Sequence, residues 1–132
     1  MVDPTASDAQ TRGIRIRVNS AYVPERSKPT ASYFFFAYRV QITNEGAIAV
    51  KLLSRHWFIR DGDGNQEEVR GPGVVGEQPF LEPDDTFTYT SACPLRTRTG
   101  TMKGLFAMLD INGVRFDAEV APFGLVYPGT PD

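Results

Sequence analysis

The chain has 132 residues, of which 41% are hydrophobic and 23% are charged, and its formal net charge is -2. This length fits a single domain, and the composition excludes a wholly disordered, collagenous, coiled-coil or polytopic membrane protein. The balance of 14 basic and 16 acidic side chains argues against a nucleic-acid-binding surface and against attraction to an anionic membrane.

The sequence contains no pattern that directs a chain out of the cytoplasm. Its single cysteine, Cys93, cannot close an intramolecular disulfide, and the polar stretch 2–10 lacks the apolar segment of a secretory signal. No window approaches the roughly 18 apolar residues of a membrane-spanning helix. We therefore expect a cytoplasmic protein that does not insert into a membrane.

Seven segments have the pattern of β-strands. In segment 13–23, Ile14, Ile16 and Val18 alternate with polar residues, which places one row in the core and the other in water. Segment 33–43 alternates less cleanly, and we expect the row from Phe34 to Ile42 to be buried, with the opposite row partly covered. The other predicted strands span 50–60, 66–69, 86–92, 102–110 and 114–120.

Turn signals separate these strands. Two Asp-Gly pairs lie within 61–65, and Asn112-Gly113 marks a hairpin before the last strand. No segment of ten or more residues has a helical period. The pattern predicts an all-β fold with little or no helix, a two-sheet antiparallel sandwich of fibronectin type III or immunoglobulin kind with about seven strands; a single closed, barrel-shaped sheet is the alternative.

The predicted domain spans 13–126. Residues 1–12 and 127–132 are polar and contain proline, so we expect them to be disordered tails. Within the domain, Trp57 shares one face of its strand with Leu53 and Ile59, and we expect it in the core. His56 points to the opposite face.

Residues 71–76, GPGVVG, spell the GxGxxG pattern of dinucleotide-binding loops. Two prolines follow closely, so the helix that such a motif requires cannot form. Two interpretations remain: a structural loop whose glycines adopt positive φ, and a nest of free N–H groups that holds an anion beside Arg70.

The Asp-Gly segment resembles the start of a calcium-binding loop, with Asp61, Asp63 and Asn65 at the first, third and fifth positions. The sixth position is Gln66 instead of glycine, and the twelfth is Pro72 instead of glutamate. A solvated turn is favoured, and we predict no metal ligands and no cofactor.

No catalytic set is evident. His56 is the only histidine and Cys93 the only thiol, so a His-Cys dyad is the one conventional nucleophile arrangement available. A packed cysteine and a surface histidine are favoured over it. We therefore predict no catalytic residues and no enzyme activity, with phosphate-ester or nucleotide chemistry as the alternative.

A small cationic site is the remaining candidate. If the strand 50–60 and the glycine loop are neighbours, then Arg55, His56 and Arg70 can surround a phosphate or carboxylate together with loop glycines. The predicted anion-binding residues are Arg55, His56, Arg70, Gly71, Gly73 and Gly76. The competing expectation is that Arg55 pairs across strands with Glu67 or Glu68.

Three runs carry a family resemblance, at 54–83, 87–109 and 116–125. They include the Arg-His-Trp run at 55–57, the Glu-Val-Arg-Gly loop at 68–76 and the Tyr-Thr-Ser run at 89–91. The chain closely resembles the bacterial ApaG family over about residues 13–125. The resemblance implies a fibronectin type III-like sandwich, an association with cobalt resistance and magnesium efflux, and a protein-recognition role, as in related domains of eukaryotic proteins.

Two hypotheses for function follow. One is a non-enzymatic module that presents a sheet face or the glycine loop to a protein partner, with a homodimer also allowed. The other is a small-ligand site at which the glycine loop holds pyrophosphate or a nucleotide phosphate. The sequence does not identify the protein partner.

Overall fold

A computed structural model describes residues 3–129 of the chain, which form two antiparallel sheets around one core. The nine strands are β1 Ala6–Thr11, β2 Ile14–Tyr22, β3 Phe34–Asn44, β4 Val50–Asp61, β5 Gln66–Pro72, β6 Phe80–Leu81, β7 Thr86–Leu95, β8 Thr99–Asp110 and β9 Arg115–Val126. Single turns of 3₁₀ helix at Pro24–Arg26 and Pro29–Ala31 are the only helices in this part of the chain. Across residues 3–129, no helix has the length and apolar character needed to cross a membrane.

The first sheet has the order β1-β2-β3-β7 and the second the order β5-β4-β8-β9, with β6 beside β5 on the same edge of β4. The predicted all-β antiparallel sandwich is therefore confirmed. All seven predicted strands are present, and β1 and β6 are additional. β6 has only two residues, too few for a periodic pattern to be recognised.

The core lies between the two sheets. Phe34, Phe36, Tyr38, Val40 and Ile42 of β3 are all buried, as their alternation predicts. Trp57 is 2% exposed and packs edge-on against three aromatic rings, those of Tyr38, Phe106 and Phe123. Aromatic side chains therefore dominate the centre of the contact between the sheets.

A β-bulge shifts the register of β4 against β8 between Leu52 and Ser54. Because of this extra residue, Leu52 is fully buried while Leu53 is only half-buried. The prediction that Leu53 shares the core face with Trp57 is thus wrong, although the burial of Trp57 itself is confirmed. The bulge leaves the Leu53 carbonyl free to accept the Gly73 N–H and the Gln78 side-chain amide.

The prediction of a disordered tail over residues 1–12 is wrong for the described part of that segment. Residues 6–11 form β1, which pairs with β2 in full register, and Asp8 binds Arg15 of β2 through two hydrogen bonds of 2.9 and 2.6 Å. The β1 side also contacts β9, where the Glu119 N–H donates to Thr11 Oγ1 and the Gly124 N–H to the Pro4 carbonyl. These contacts supply the anchoring that the polar composition does not reveal. Residues 1 and 2 lie outside the described part.

At the other terminus, Tyr127 is also ordered by contacts. Its ring packs against Tyr22 and Phe34, and its N–H donates to the Arg98 carbonyl. The predicted tail over 127–132 is therefore wrong at Tyr127, and its last three residues lie outside the described part.

Candidate functional site

The candidate site lies on the solvent-facing side of the second sheet, which we call the outer face. Strand alternation and register bring its residues into rows that run across β5, β4, β8 and β9. One row contains Arg70, His56, Leu105 and Glu119. The sequence predicted the strands of this face, but only the pairing register shows which side chains become neighbours.

His56, Glu68 and Arg70 form a charged cluster on the outer face. His56 Nε2 lies 2.7 Å from Glu68 Oε1, and Arg70 Nε lies 3.2 Å from His56 Nε2. Arg70 Nη2 also approaches the same carboxylate at 3.5 Å, and its side chain is 72% exposed. The hydrogen bond from His56, followed by the charge of Arg70, lowers the pKa of Glu68. The Glu68 carboxylate thus contacts His56 and Arg70, two of the residues predicted to hold an anion.

Arg55 points away from this cluster. Its register partner is Gly71, one position along from the His56 and Arg70 pair, so its side chain lies on the opposite side of the sheet. There Arg55 Nη1 donates to the carbonyls of Pro72 and Gly73 at 3.0 and 3.1 Å. The expected cross-strand pair of Arg55 with Glu67 or Glu68 is wrong. The structure also does not bring the Arg55 guanidinium together with His56 and Arg70.

The glycine loop is held mainly by its own backbone. The Gly73 N–H donates to the Leu53 carbonyl, and Val74 and Glu77 exchange two backbone hydrogen bonds across a tight turn. Gly73 and Gly76 have φ of 61° and 80°, whereas Gly71 lies in β5 without a positive φ. A Cβ at Gly71 would instead meet Arg55 Nη1 at 2.9 Å. The N–H groups of Gly73, Val74 and Glu77, which an anion nest would use, are already paired within the protein.

Val75 carries a conformational irregularity in the same turn. Its φ is 43°, in a region that β-branched residues rarely occupy, and its side chain is 51% exposed. About half of the valine side chain is therefore in solvent, where it contributes little apolar burial to offset the strain.

Hydrogen bonds to the Asp61 carboxylate hold the Asp-Gly turn together. Asp61 Oδ1 accepts the N–H groups of Asp63 and Asn65, and Asp61 Oδ2 accepts the Asn65 side-chain amide. The Asn65 side-chain bond is the largest cause of the lowered pKa of Asp61. Between residues 3 and 129, no group of three or more His, Cys, Asp or Glu side chains is placed to hold a metal ion.

Cys93 is buried in the core on β7, in the first sheet, and burial raises the pKa of its thiol to about 11. His56 projects from the outer face of the second sheet and pairs with Glu68. The structure therefore does not bring the two together as a nucleophile and its base.

Sequence reasoning did not recognise an apolar row along the centre of the outer face. Leu105, Ala107 and Leu109 alternate on β8 with core residues, and all three are half-buried although they face solvent. Phe58 lies beside them, with its ring 4.2 Å from that of His56, and Phe80 is 54% exposed beyond Lys51. The length of the apolar run 104–109 was the available signal, because a strand buried on one face only would carry polar residues here.

The family model for the ApaG domain matches residues 24–110 of the chain. The chain belongs to the ApaG family. It is 52% identical over 120 residues to the Protein ApaG of Methylobacterium radiotolerans, a match that covers 91% of this chain and 92% of that protein. It is 50% identical to the Protein ApaG of Pseudomonas aeruginosa PAO1, over 93% of this chain and 97% of the relative. Family membership predicted from the sequence is therefore confirmed.

A solved structure supports the same architecture. The crystal structure titled as the putative ApaA protein from Bordetella pertussis superposes with a TM-score of 0.86 and 44% identity, covering 98% of this chain and all of that one. The two-sheet sandwich is thus shared along nearly the whole ApaG chain.

Proposed function

We propose that the chain is a non-enzymatic protein-interaction module that binds a protein partner with its outer face. The observation that carries the proposal is the row of Leu105, Ala107 and Leu109 facing solvent from the central strand β8. An outward apolar row on a central strand has no folding role comparable to that of the core, and burying it against a partner is favourable.

Charged residues border this row on both sides. His56 and Arg70 lie on the β4 and β5 side, whereas Asp117 and Glu119 of β9 lie opposite Ala107 and Leu105. An apolar centre with a charged rim is the usual composition of interfaces between proteins that also exist apart. Charges of both signs orient a partner and set its specificity.

Two observations support the non-enzymatic part of the proposal. Cys93 and His56 are separated, and the Asp61 carboxylate is already hydrogen-bonded within its own turn. The cobalt resistance and magnesium efflux that the family resemblance implies would, in this proposal, depend on the protein that the outer face binds. The partner would then connect this module to cation transport.

The proposal is tested by comparing two single substitutions on β8. Leu105→Glu places a charge in the apolar row, and Thr101→Glu, an exposed position on the same face, is the matched control. Wild type and both variants are immobilised and used to capture proteins from a bacterial lysate, with equal thermal stability verified first. We expect a protein bound by wild type and Thr101→Glu but lost from Leu105→Glu, and purified partner should bind in the same order.

If every captured protein binds Leu105→Glu as well as wild type, the outer face is not the binding surface. A photo-crosslinker at position 107 supplies an independent readout, because it should label the partner only when the outer face is engaged. A crosslinker at Thr43, on the first sheet, should not label it.

The alternative proposal is a small-anion site for pyrophosphate or a nucleotide phosphate. It is favoured by a depression that is lined by His56, Arg70 and Gly71 of the predicted anion-binding residues, together with Asp117. Arg55 also lines this depression, but its guanidinium lies on the other side of the sheet. The Glu68 carboxylate already contacts His56 and Arg70, so an added anion must compete with it. Asp117 adds a further negative charge at the rim.

This competition gives the anion proposal its own test. Glu68→Gln removes the tethered charge and should strengthen pyrophosphate binding at low salt, whereas Arg70→Ala should weaken it with little change in melting temperature. Calorimetric titration measures both affinities. Absence of binding by wild type and by Glu68→Gln at millimolar pyrophosphate would reject the anion site and leave the protein-binding proposal intact.

A further inference from the structure

The two sheets present four edges, which differ in how they are protected. β1 and β9 are edges of different sheets, and they cover one another through contacts that include the Glu119 and Thr11 hydrogen bond. The third edge, β5, carries Glu67, Glu68 and Arg70, and charges on an edge strand discourage pairing with another chain.

The fourth edge, β7, has no such protection along most of its length. Its ten residues, TFTYTSACPL, include no charged side chain. Threonine and aromatic residues favour extended pairing, and Pro94 near one end is the only residue without an N–H group. An uncharged edge strand of this length is a template for addition of another strand.

The backbone register shows which groups of β7 are free. Phe35 directs its carbonyl to the Val23 N–H and its own N–H to Ser27 Oγ, both away from β7, so its partner Pro94 faces the open edge. Alternation then places the N–H and carbonyl groups of Thr88, Thr90 and Ala92 on the open edge as well. The pairing of β7 with β3 uses the alternate residues of β7 instead. Within residues 3–129, no hydrogen bond outside the strand pairing uses the outward groups.

We propose that β7 pairs with β7 of a second copy of the chain, antiparallel and with Thr90 at the two-fold axis. The two four-stranded sheets then join into one continuous sheet, and Thr88 of each copy lies opposite Ala92 of the other. Because β7 is uncharged, pairing it with itself brings no like charges together along the strand.

The residues that flank β7 favour a second copy over an unrelated strand. Glu82, Asp84 and Asp85 precede the strand, while Arg96 and Arg98 follow it. In the antiparallel arrangement with Thr90 on the axis, the acidic end of β7 in one copy lies beside the basic end of β7 in the other. All five of these charged side chains are exposed, so the two ends of β7 are complementary in charge to those of its own copy.

Analytical ultracentrifugation of the full chain over a range of concentrations tests this pairing. We expect a reversible dimer that dissociates on dilution and weakens as salt rises, because the flanking contacts are between exposed charges. Thr90→Pro removes an outward N–H group without removing a hydrogen bond to β3, and it should raise the dissociation constant at least about tenfold. Thr90→Val keeps the N–H group and should leave the dimer unchanged.

Two further measurements cover the failure of a single variant. If Thr90→Pro does not fold, Thr90→Lys places two like charges at the axis and should abolish the dimer in a folded chain. Amide hydrogen exchange should show protection of Thr88, Thr90 and Ala92 that grows with protein concentration. A chain that is monomeric into the millimolar range, or a dimer that survives in folded Thr90→Lys, would overturn the proposal.

These outcomes are independent of the outer face. Leu105→Glu should not change the dissociation constant of the dimer, because β8 lies in the other sheet. A dimer lost in Leu105→Glu but retained in Thr90→Lys would show that two copies meet through the outer face instead, and would contradict pairing through β7.

Discussion

Trp57 lies directly opposite Gly104 across β4 and β8, and its ring covers the glycine. A Cβ at Gly104 would be 2.8 Å from Trp57 Cε3 and 2.9 Å from the His56 carbonyl. The glycine therefore makes room for the indole in the centre of the core, and its position beside the bulge in the pairing of β8 with β9 shows the same adjustment of the sheet.

Loss of the indole should be among the most destabilising changes in the domain. Trp57→Ala removes a side chain that is 2% exposed and packs against three aromatic rings. We expect a loss of about 3 to 5 kcal/mol in the free energy of unfolding, measured by denaturant titration. An unchanged midpoint would contradict the central packing role of Trp57.

Gly104→Ala should destabilise the chain for the opposite reason, overpacking, by about 1 to 3 kcal/mol. Because the added methyl group meets the Trp57 ring, the cost should be smaller when Trp57 is already alanine. A double-mutant cycle in urea measures this coupling, and strictly additive losses would show that the His56 carbonyl alone resists the methyl group.

Asn44 should be indispensable for one end of the sandwich. Its buried side-chain amide donates to the carbonyls of Ile48 and Leu81, and its Oδ1 accepts the Gly46 N–H. Asn44→Ala removes the amide donor from the buried Leu81 carbonyl and the partly buried Ile48 carbonyl and should cost about 1 to 3 kcal/mol. Asn44→Asp places a carboxyl group against those carbonyls, so the pKa of that group should be raised in the folded state. The stability of the variant should therefore fall as the pH rises from 4 to 7. Wild type, measured at the same two pH values, is the control.

Two substitutions in the turn of the glycine loop distinguish backbone strain from steric collision. Val75→Asn should stabilise the chain by about 1 kcal/mol, because asparagine before glycine suits two successive positive φ values. Gly73→Ala should destabilise it, since the new Cβ would collide with the Glu77 carbonyl as well as adopt a positive φ. Melting temperatures of the two variants measure both effects, and a destabilised Val75→Asn would show that the valine side chain makes contacts that offset its strain.

The thiol of Cys93 should be unreactive in the folded chain, and its ionisation should lower stability only at alkaline pH. Burial raises the pKa of its thiol from 9.0 to about 11, so the folded state keeps a proton that the unfolded state releases. This contribution is complete below pH 9 and is lost as the pH rises toward 11. Cys93→Ala should therefore lose less stability than wild type over that window, and Tyr38 and Tyr89, present in both chains, cancel in the comparison.

Native wild type should also react slowly with a thiol reagent at pH 8 and rapidly in denaturant. Rapid labelling of the folded chain would show that the Cys93 environment opens, and would restore interest in its chemistry.

The class of the fold and most of its strands could be predicted from local patterns in the sequence. The alternation of Ile14, Ile16 and Val18 and of the β3 row is a local signal, because successive side chains of a strand point to opposite faces. Turn residues such as Asn112-Gly113 are equally local, and Gly113 has the expected positive φ of 83°. The burial of Trp57 was also predicted, although the bulge in β4 removes Leu53 from the face that the two residues were expected to share.

Features that depend on pairing between distant segments could not be predicted in this way. β1 is polar and without a clear period, and it becomes a strand because β2 and β9 supply hydrogen bonds and an ion pair. The bulge at Leu53 and the opposite facing of Arg55 and His56 follow from the register of β4 against β5 and β8. A one-residue shift of register exchanges the faces of a strand, and no local pattern records such a shift. The apolar row on the outer face and the open edge of β7 become visible only once those pairings place each strand within its sheet.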